Sequence, residues 1–558
     1  MINIQIPDKI QKLSPFTKSE ERKLTGLLSL GLVLTILFGL WWFQPDHVPQ
    51  NFSGVLHSLD VLIFLALSFV VWHPIVNELF LWHATTKMKL PAEINPRSGW
   101  KVAFLTAFVP GKEPYDVLEK NLQAMVACDY PHDTWLLDEG NDPKAKSLCA
   151  QYGVNHFSRK GKPEYNTESG KFKAKTKAGN YNAWYDSHAY KYDLVAQVDV
   201  DFIPKKNYLM KTICYFSDPT VAFVGTPQIY GNTKDSWIAK GAAEQAYGFY
   251  GLIQKGMFGT DMQLFIGANH VARVIAHLTI DGYTGHIVED HLTGMNYYAK
   301  RWKSVYVPEI LAVGEGPSTW DAYFSQQMRW AYGLIDILFK HSPKLFFQMK
   351  PLHALQYFLL QQYYFGGLAQ AIGVFLICGY FIFGVISTPT SLLELLIFFA
   401  PLLLIQQVIY RYLQKFYIDP QQESGWHWRG RLLNVASWPI YLMALFGVVM
   451  GKRLTYKVTP KGDSQDTDAR PGLFVPHLIM GILSASAIVA SLFTHRHAAQ
   501  LLTFAILNSV LMFGMFFSEL GQLVTSKLSI LWNQTRATLS ELRNKAKINT
   551  GFRLRLTG

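Results

Sequence analysis

Charge is scarce in this chain. Asp, Glu, Lys and Arg make up 16% of its 558 residues, against roughly a quarter of a soluble domain, and that deficit argues against a purely soluble enzyme. The four cysteines, Cys128, Cys149, Cys214 and Cys378, show no C-x-x-C spacing, so neither a disulfide framework nor a zinc ribbon is indicated. Acids are outnumbered 40 to 52, for a formal charge of +12. About half of that excess lies beyond residue 525, in Lys527, Arg536, Arg543, Lys545, Lys547, Arg553 and Arg555, so no nucleic-acid partner is needed to explain it. The mean hydropathy is only +0.09, which excludes a uniform membrane bundle.

What is present is a set of long apolar runs. A bilayer core about 30 Å thick needs roughly 20 apolar helical residues, and six runs approach that length: 24–43, 61–82 (carrying Glu78), 363–386, 392–410, 474–493 and 501–524. A seventh, 432–450, holds Asn434, Ser437 and Pro439 and is flanked by Arg429, Arg431, Lys452 and Arg453, a pattern that fits an in-plane interfacial helix. Lys and Arg favour the cytoplasmic side. Lys9, Lys12, Lys18, Arg22 and Lys23 precede the first run, the loop 44–59 has no Lys or Arg, and the tail is basic. Both ends then lie inside, which demands an even number of crossings. Six crossings are expected, with 432–450 interfacial and 451–473 cytosolic. No small-residue cleavage site follows the first run, which reads as an anchor.

Between residues 85 and 353 the polarity is mixed. Compact apolar runs at 101–109, 134–137, 194–198 and 221–226 alternate with helical stretches at 115–127 and 178–189, the pattern of an α/β unit with a mainly parallel sheet. In such sheets ligands gather at the carboxyl ends of strands. Asp199-Val200-Asp201 follows one run, and in extended geometry both carboxylates face one side, where they can share a cation such as Mg²⁺. Asp138-Glu139-Gly140 ends another. Val288-Glu289-Asp290 could supply a general base or simply a carboxylate pair at a helix N-terminus. Gln326, Arg329 and Trp330 fall at i, i+3 and i+4, one helical face bearing an amide, a guanidinium and an indole suited to diphosphate and sugar. The basic run 171–177 precedes Ala178-Gly179-Asn180 and could attract a diphosphate or be a solvated loop.

Taken in order these residues resemble the processive, membrane-embedded family-2 glycosyltransferases, most closely the cellulose synthase branch and its curdlan-synthase-like relatives. The similar motifs are Asp138, Lys175-Thr176-Lys177-Ala178-Gly179-Asn180, Asp199/Asp201, Thr226-Pro227-Gln228, Glu289-Asp290, Gln326 to Trp330, and Tyr456-Lys457-Val458-Thr459-Pro460-Lys461-Gly462, which resembles the family's gating loop. Leu264-Phe265-Ile266-Gly267-Ala268 stands where cellulose synthases have F-F-C-G-S at the acceptor site. The resemblance implies an α/β GT-A-type (Rossmann-like) domain inserted in a helical transmembrane bundle, a UDP-sugar donor, Mg²⁺ or Mn²⁺, and a growing polysaccharide acceptor. It assigns the donor to Asp138, Lys177, Asp199, Arg329, Thr459 and Lys461. It gives the metal to Asp199 and Asp201, the acceptor to Gln326 and Trp330, and catalysis to Asp290 as base beside Glu289.

The expected organisation is an N-terminal arm 1–23, two spans 24–84, a cytosolic catalytic domain 85–350, and two spans with a linker 351–431. An interfacial helix and gating loop follow at 432–473, then two spans 474–525 and a basic tail 526–558. The implied product is a β-glucan made from UDP-glucose and passed across the plasma (inner) membrane; a non-processive enzyme making a glycolipid is the alternative. The bilayer is the expected partner and nucleic acid is not; accessory export subunits are left open.

Overall fold

The computed structural model describes residues 10–452 and 470–554. They fall into two compact units, Met1–Gly373 with Ile386–Gln465, and Val374–Val385 with Asp466–Gly558.

The first unit is built on a seven-stranded sheet: β1 (Val102–Phe108), β2 (Asp133–Asp138), β3 (Asn155–Phe157), β4 (Leu194–Val198), β5 (Val221–Gly225), β6 (Asn269–Arg273) and β7 (Lys303–Tyr306). Their spatial order is β7-β5-β6-β4-β1-β2-β3. All four strands expected from the apolar runs form. Every residue of β4, β5 and β6 is buried, as expected of strands covered on both faces; β5 is apolar throughout and β4 all but Gln197, whereas β6 buries Asn269, His270 and Arg273. Neighbouring pairs are parallel except those of β6, which runs against both β4 and β5. Asn269 pairs with Val198 and His270 with Gly225, so the start of β6 lies at the carboxyl ends of β4 and β5. That one reversal carries segment 264–268 to the edge where Asp199 emerges.

Helices α1 (Lys18–Trp42) and α2 (His57–Thr86) precede the sheet; α3 (Lys177–His188), α4 (Trp237–Gly248), α5 (Glu289–Ala299) and α6 (Trp320–Lys340) belong to its domain. After them come α7 (Ser342–Phe346), α8 (Pro351–Gln362), α9 (Leu392–Leu413), α10 (Trp428–Ala436) and α11 (Trp438–Val449). The sheet domain is seated directly on α2. At Gly256 and Gly259 an added Cβ would lie 2.1 Å from the Ala84 carbonyl oxygen and 1.6 Å from that of Lys87, so only glycine admits this approach.

Seven helical segments among the described residues are long and apolar enough to cross a membrane: Lys18–Trp42, Gly54–Thr86, Pro351–Phe383, Leu392–Phe416, Trp428–Val449, Pro471–Thr494 and Ala499–Thr525. With the relatives described below, they make this a multi-pass membrane protein. The fifth segment is the run expected to be interfacial. It is two helices, α10 and α11, meeting at Ser437, and it interlocks with the sheet domain. Gly430 N–H donates to Glu244 (2.9 Å), Gln245 Nε2 to the Gly430 carbonyl (3.0 Å), and Tyr441 OH to Gln327 on α6 (3.0 Å).

In the second unit, α12 (Val475–Thr494) packs on α13 (Ala499–Leu554) where Gly481 leaves room for Phe513 and Asn508 donates to Ser484 (2.7 Å). Arg496 donates to the Phe381 and Ile382 carbonyls (3.0 and 2.9 Å), closing the helix that ends at Phe383. Such bonds matter most where no water can replace them.

Candidate active site

The site assembles at the carboxyl end of β4. Lys177 is the first residue of α3, whose N-cap Thr176 accepts from Gly179 N–H (3.1 Å). Gly179 is required here, since a Cβ would sit 2.2 Å from the Lys173 carbonyl oxygen and 2.6 Å from Arg159 Nη1. So placed, Lys177 Nζ reaches Asp199 Oδ1 at 2.5 Å and the Gly267 carbonyl at 3.0 Å. Burial opposes the ammonium charge, but Asp199 outweighs it and holds the proton on Lys177 well above the usual lysine range.

The two carboxylates of the D-x-D motif do not extend β4 as the alternation argument expects. The strand stops at Val198, and Phe202 N–H donates to the Asp199 carbonyl at 2.9 Å, folding Asp199–Asp201 into a turn. Asn121 Nδ2 also reaches the Phe202 carbonyl at 2.8 Å. The turn leaves the Asp199 side chain 30% exposed and Asp201 buried, so the motif presents one carboxylate at the surface of the cleft and one at its wall.

Gly267, just ahead of β6, joins this group to the acidic pair. Its carbonyl accepts from Lys177 and from Gln197 Nε2 (2.8 Å), and its N–H donates to Asp290 Oδ2 at 3.2 Å. A Cβ at residue 267 would stand 3.1 Å from that same oxygen. Behind Gly267 runs a buried chain: His270 is bonded to the Ile266 carbonyl (2.7 Å) and to Tyr283 OH (2.9 Å), and Tyr283 OH donates to Gln197 Oε1 (3.0 Å).

Glu289 and Asp290 form the first turn of α5, and Asp290 Oδ1 accepts from His291 N–H at 2.8 Å. The pair is thus a carboxylate pair at a helix N-terminus, and Asp290 also reaches Gly267 beside Lys177. A helix N-terminus favours carboxylates, yet burial wins. Desolvation raises Asp290 above the ordinary aspartate range, and burial together with the charge of Asp290 raises Glu289. Helix α6 presses on the segment from behind: Gly333 allows Val288 to approach so closely that a Cβ there would lie 2.2 Å from Val288 Cγ2.

Gln326, Arg329 and Trp330 all lie on α6, each half-buried, and Trp330 packs on the sheet domain's core. Asp138, at the end of β2, is fully buried and organises its own loop. It accepts from Gly140 N–H (2.8 Å) and Asp142 N–H (2.5 Å) and is bonded to His156 Nε2 (3.0 Å). Thr459 and Lys461 lie outside the described residues.

Sequence reasoning missed Arg159. It is fully buried, grips Glu139 through Nε and Nη2 (3.0 and 2.8 Å), and donates to the carbonyls of Tyr165, Lys173 and Thr176, folding loop 159–176 under Lys177. A lone arginine in a polar loop carries no periodic signal. Nor did it find Gln197, Tyr283 and His270, which read as ordinary strand and loop residues.

Residues 194–413 match the family model described as glycosyl transferase family group 2. The cellulose synthase catalytic subunit of Pseudomonas fluorescens is 24% identical over 458 residues, 79% of this chain and 58% of that protein. The cellulose synthase 1 catalytic subunit of Komagataeibacter xylinus is 26% identical over 313 residues, 54% of this chain and 39% of its own length. The chain thus spans less than two thirds of these relatives. Among solved structures, a mannosyltransferase from Pyrobaculum calidifontis in complex with GDP-Man and Mn²⁺ aligns with a TM-score of 0.46 at 15% identity, over 70% of this chain and 99% of that one. Over residues 194–413 the chain thus matches family-2 glycosyltransferases, and over a longer stretch it is similar to cellulose synthase catalytic subunits.

Proposed function

We propose that the chain is a processive inverting glycosyltransferase that lengthens a β-glucan from UDP-glucose and passes the product through its own helices. The observation that carries this reading is that Lys177, paired with Asp199, and Asp290 both bond Gly267, which sets a held-positive group and a proton-accepting group on two sides of one residue.

In this reading Asp290 takes the proton of the acceptor hydroxyl. The hydroxyl oxygen forms a bond to the anomeric carbon as the bond to the diphosphate breaks from the opposite face, and UDP leaves with the electron pair. A raised proton affinity suits a base working near neutrality. The charge growing on the leaving diphosphate falls to Lys177 and to Arg329 on α6, where fixed cations act most strongly on the transition state. The donor set of Asp199 and Asp201, two hard carboxylates beside a single ammonium, fits a divalent ion of the Mg²⁺ or Mn²⁺ kind. Such an ion supplies Lewis-acid neutralisation of the diphosphate when bound. The nucleoside lies against the loop that Asp138 organises. Gln326 and Trp330 face the acceptor sugar, and Thr459 and Lys461 belong to a segment that closes over UDP.

A sugar chain cannot leave water without hydrogen-bond partners. Polar side chains are available beside the membrane-length helices: Gln362 donates to Asn77 (2.6 Å) and Tyr363 to Asn434 (2.7 Å). In the proposed topology the sheet domain faces the cytoplasm and α10 with α11 lies at the interface against it.

The experiment is incorporation of radiolabelled UDP-glucose by the full chain in nanodiscs with Mg²⁺ or Mn²⁺, followed by β-1,4- and β-1,3-specific glucanases. A high-molecular-weight product cut by one glucanase is the expected result. Label that is short and extractable into organic solvent would instead assign a non-processive glycolipid synthase.

A further inference from the structure

The far end of α6, the short helix α7, the flank of α5 and the loops at Gly170 and Thr284–His286 border an open cavity of about 530 Å³. Lys340 and His341 at the end of α6, Lys344, Leu345 and Gln348 around α7, and Asn296 on α5 line it. One carboxylate stands at its edge. Asp336 is held by Lys340 Nζ (2.5 Å) and His286 Nε2 (3.2 Å).

Ligand atoms of His286, Asp336 and His341 lie within 4.8 Å of one another, which invites a metal. The hydrogen bonds argue otherwise. His286 Nδ1 accepts from Val288 N–H (3.3 Å), so in a neutral ring Nε2 carries the proton that it gives to Asp336 and has no lone pair for an ion. An ammonium already neutralises the carboxylate. What remains is the ammonium of Lys344 beside the Lys340–Asp336 pair, with the side-chain amides of Asn296 and Gln348, a surface suited to a phosphate rather than to a cation.

The position of the cavity selects the phosphate's carrier. Phe347, immediately after α7, is 92% exposed, and Leu355 and Phe358 on α8 are half-exposed. Helix α8 opens the segment Pro351–Phe383, which is of membrane-crossing length and apolarity. An exposed aromatic ring and a cationic pocket at the foot of such a segment sit at headgroup level, and Leu345 gives the pocket an apolar wall for a glycerol backbone. We propose that this cavity binds the phosphate of an anionic phospholipid, with Lys344 and Lys340 as its cations. The proposal does not depend on which sugar the enzyme transfers.

The test places the full chain in nanodiscs of phosphatidylcholine with 10–30% phosphatidylglycerol (an experimental choice of roughly physiological anionic content) and measures lipid carried through detergent exchange by native mass spectrometry. Wild type should retain phosphatidylglycerol over phosphatidylcholine. One surface cation is worth about a fivefold change in affinity, so Lys344→Gln should lower retention about fivefold and the double variant with Lys340→Gln further, while Lys344→Arg keeps it. Lys344 is exposed, so unchanged thermal unfolding of Lys344→Gln serves as the folding control. Equal retention of both lipids would overturn the proposal. So would saturable binding of inorganic phosphate with no phosphatidylglycerol retained, which would assign a soluble phosphate ligand, or stoichiometric Zn²⁺ binding lost in His341→Ala, which would assign a metal.

Discussion

Asp199, through Lys177, and Asp290, directly, are both tied to Gly267, and the protein treats the two acids in opposite ways. At the end of β4, Asp199 is given a lysine at 2.5 Å and keeps that lysine protonated. At the start of α5, Glu289 and Asp290 are buried side by side, and their proton affinity rises. The residue types are nearly the same; the surroundings make one a charged platform and the other a proton acceptor. Pairs of titratable groups pushed apart in this way mark acid–base roles.

The comparison breaks most severely at the base. Asp290→Asn should lower transfer by about 10³-fold, within the range of general-base losses, as read by UDP release at saturating donor. Lys177→Gln attacks the platform instead. It should lower kcat/KM about 10²-fold, mainly through kcat, since one fixed donor to developing charge is worth about that much. Gly267→Ala disturbs the bridge between the two: its methyl would lie 3.1 Å from Asp290 Oδ2, and kcat should fall about tenfold with donor binding intact.

The smallest effect is one of pH. Asp290 must be ionised to accept a proton, and its affinity for protons is raised by burial, so activity should fall on acidification at a higher pH than an ordinary carboxylate would give. Burial and the charge of Asp290 push the Glu289 carboxyl up as well. Glu289 is therefore still protonated while Asp290 ionises, and Glu289→Gln, which keeps a neutral side chain there, should leave the acid limb of kcat/KM in place. Movement of that limb to lower pH would show that the charge of Glu289 opposes ionisation of Asp290.

Four of the seven strands were legible because they are largely apolar and end in polar residues, as at Leu194–Val198 before Asp199, whereas Asn155–Phe157, Asn269–Arg273 and Lys303–Tyr306 carry too many polar residues to stand out. The acidic and basic site residues were legible as types and in order. Their arrangement was not. The D-x-D turn depends on Phe202 N–H closing onto Asp199, and the reach of Gly267 to Asp290 depends on β6 running against its neighbours. The turn is a contact between residues three apart where alternation along a strand was expected, and the reach of Gly267 is set by pairing between segments about seventy residues apart in sequence, as with Gln197 and Gly267. Arg159 was silent for a related reason: what it satisfies are carbonyls of a loop with no periodicity. The membrane runs were plain in length and composition, whereas the grip of α10 and α11 on α4 and α6 lies in single contacts such as Tyr441 to Gln327.

The division between platform and base is tested most directly by titrating UDP with Mn²⁺ into wild type, Asp199→Asn and Asp290→Asn in nanodiscs, with UDP-sugar turnover measured on the same samples. The account predicts that Asp290→Asn binds UDP as wild type does but releases none from UDP-sugar, and that Asp199→Asn loses UDP binding and turnover together. An Asp290→Asn enzyme that turns over normally, or an Asp199→Asn enzyme that binds UDP with wild-type affinity, would contradict it.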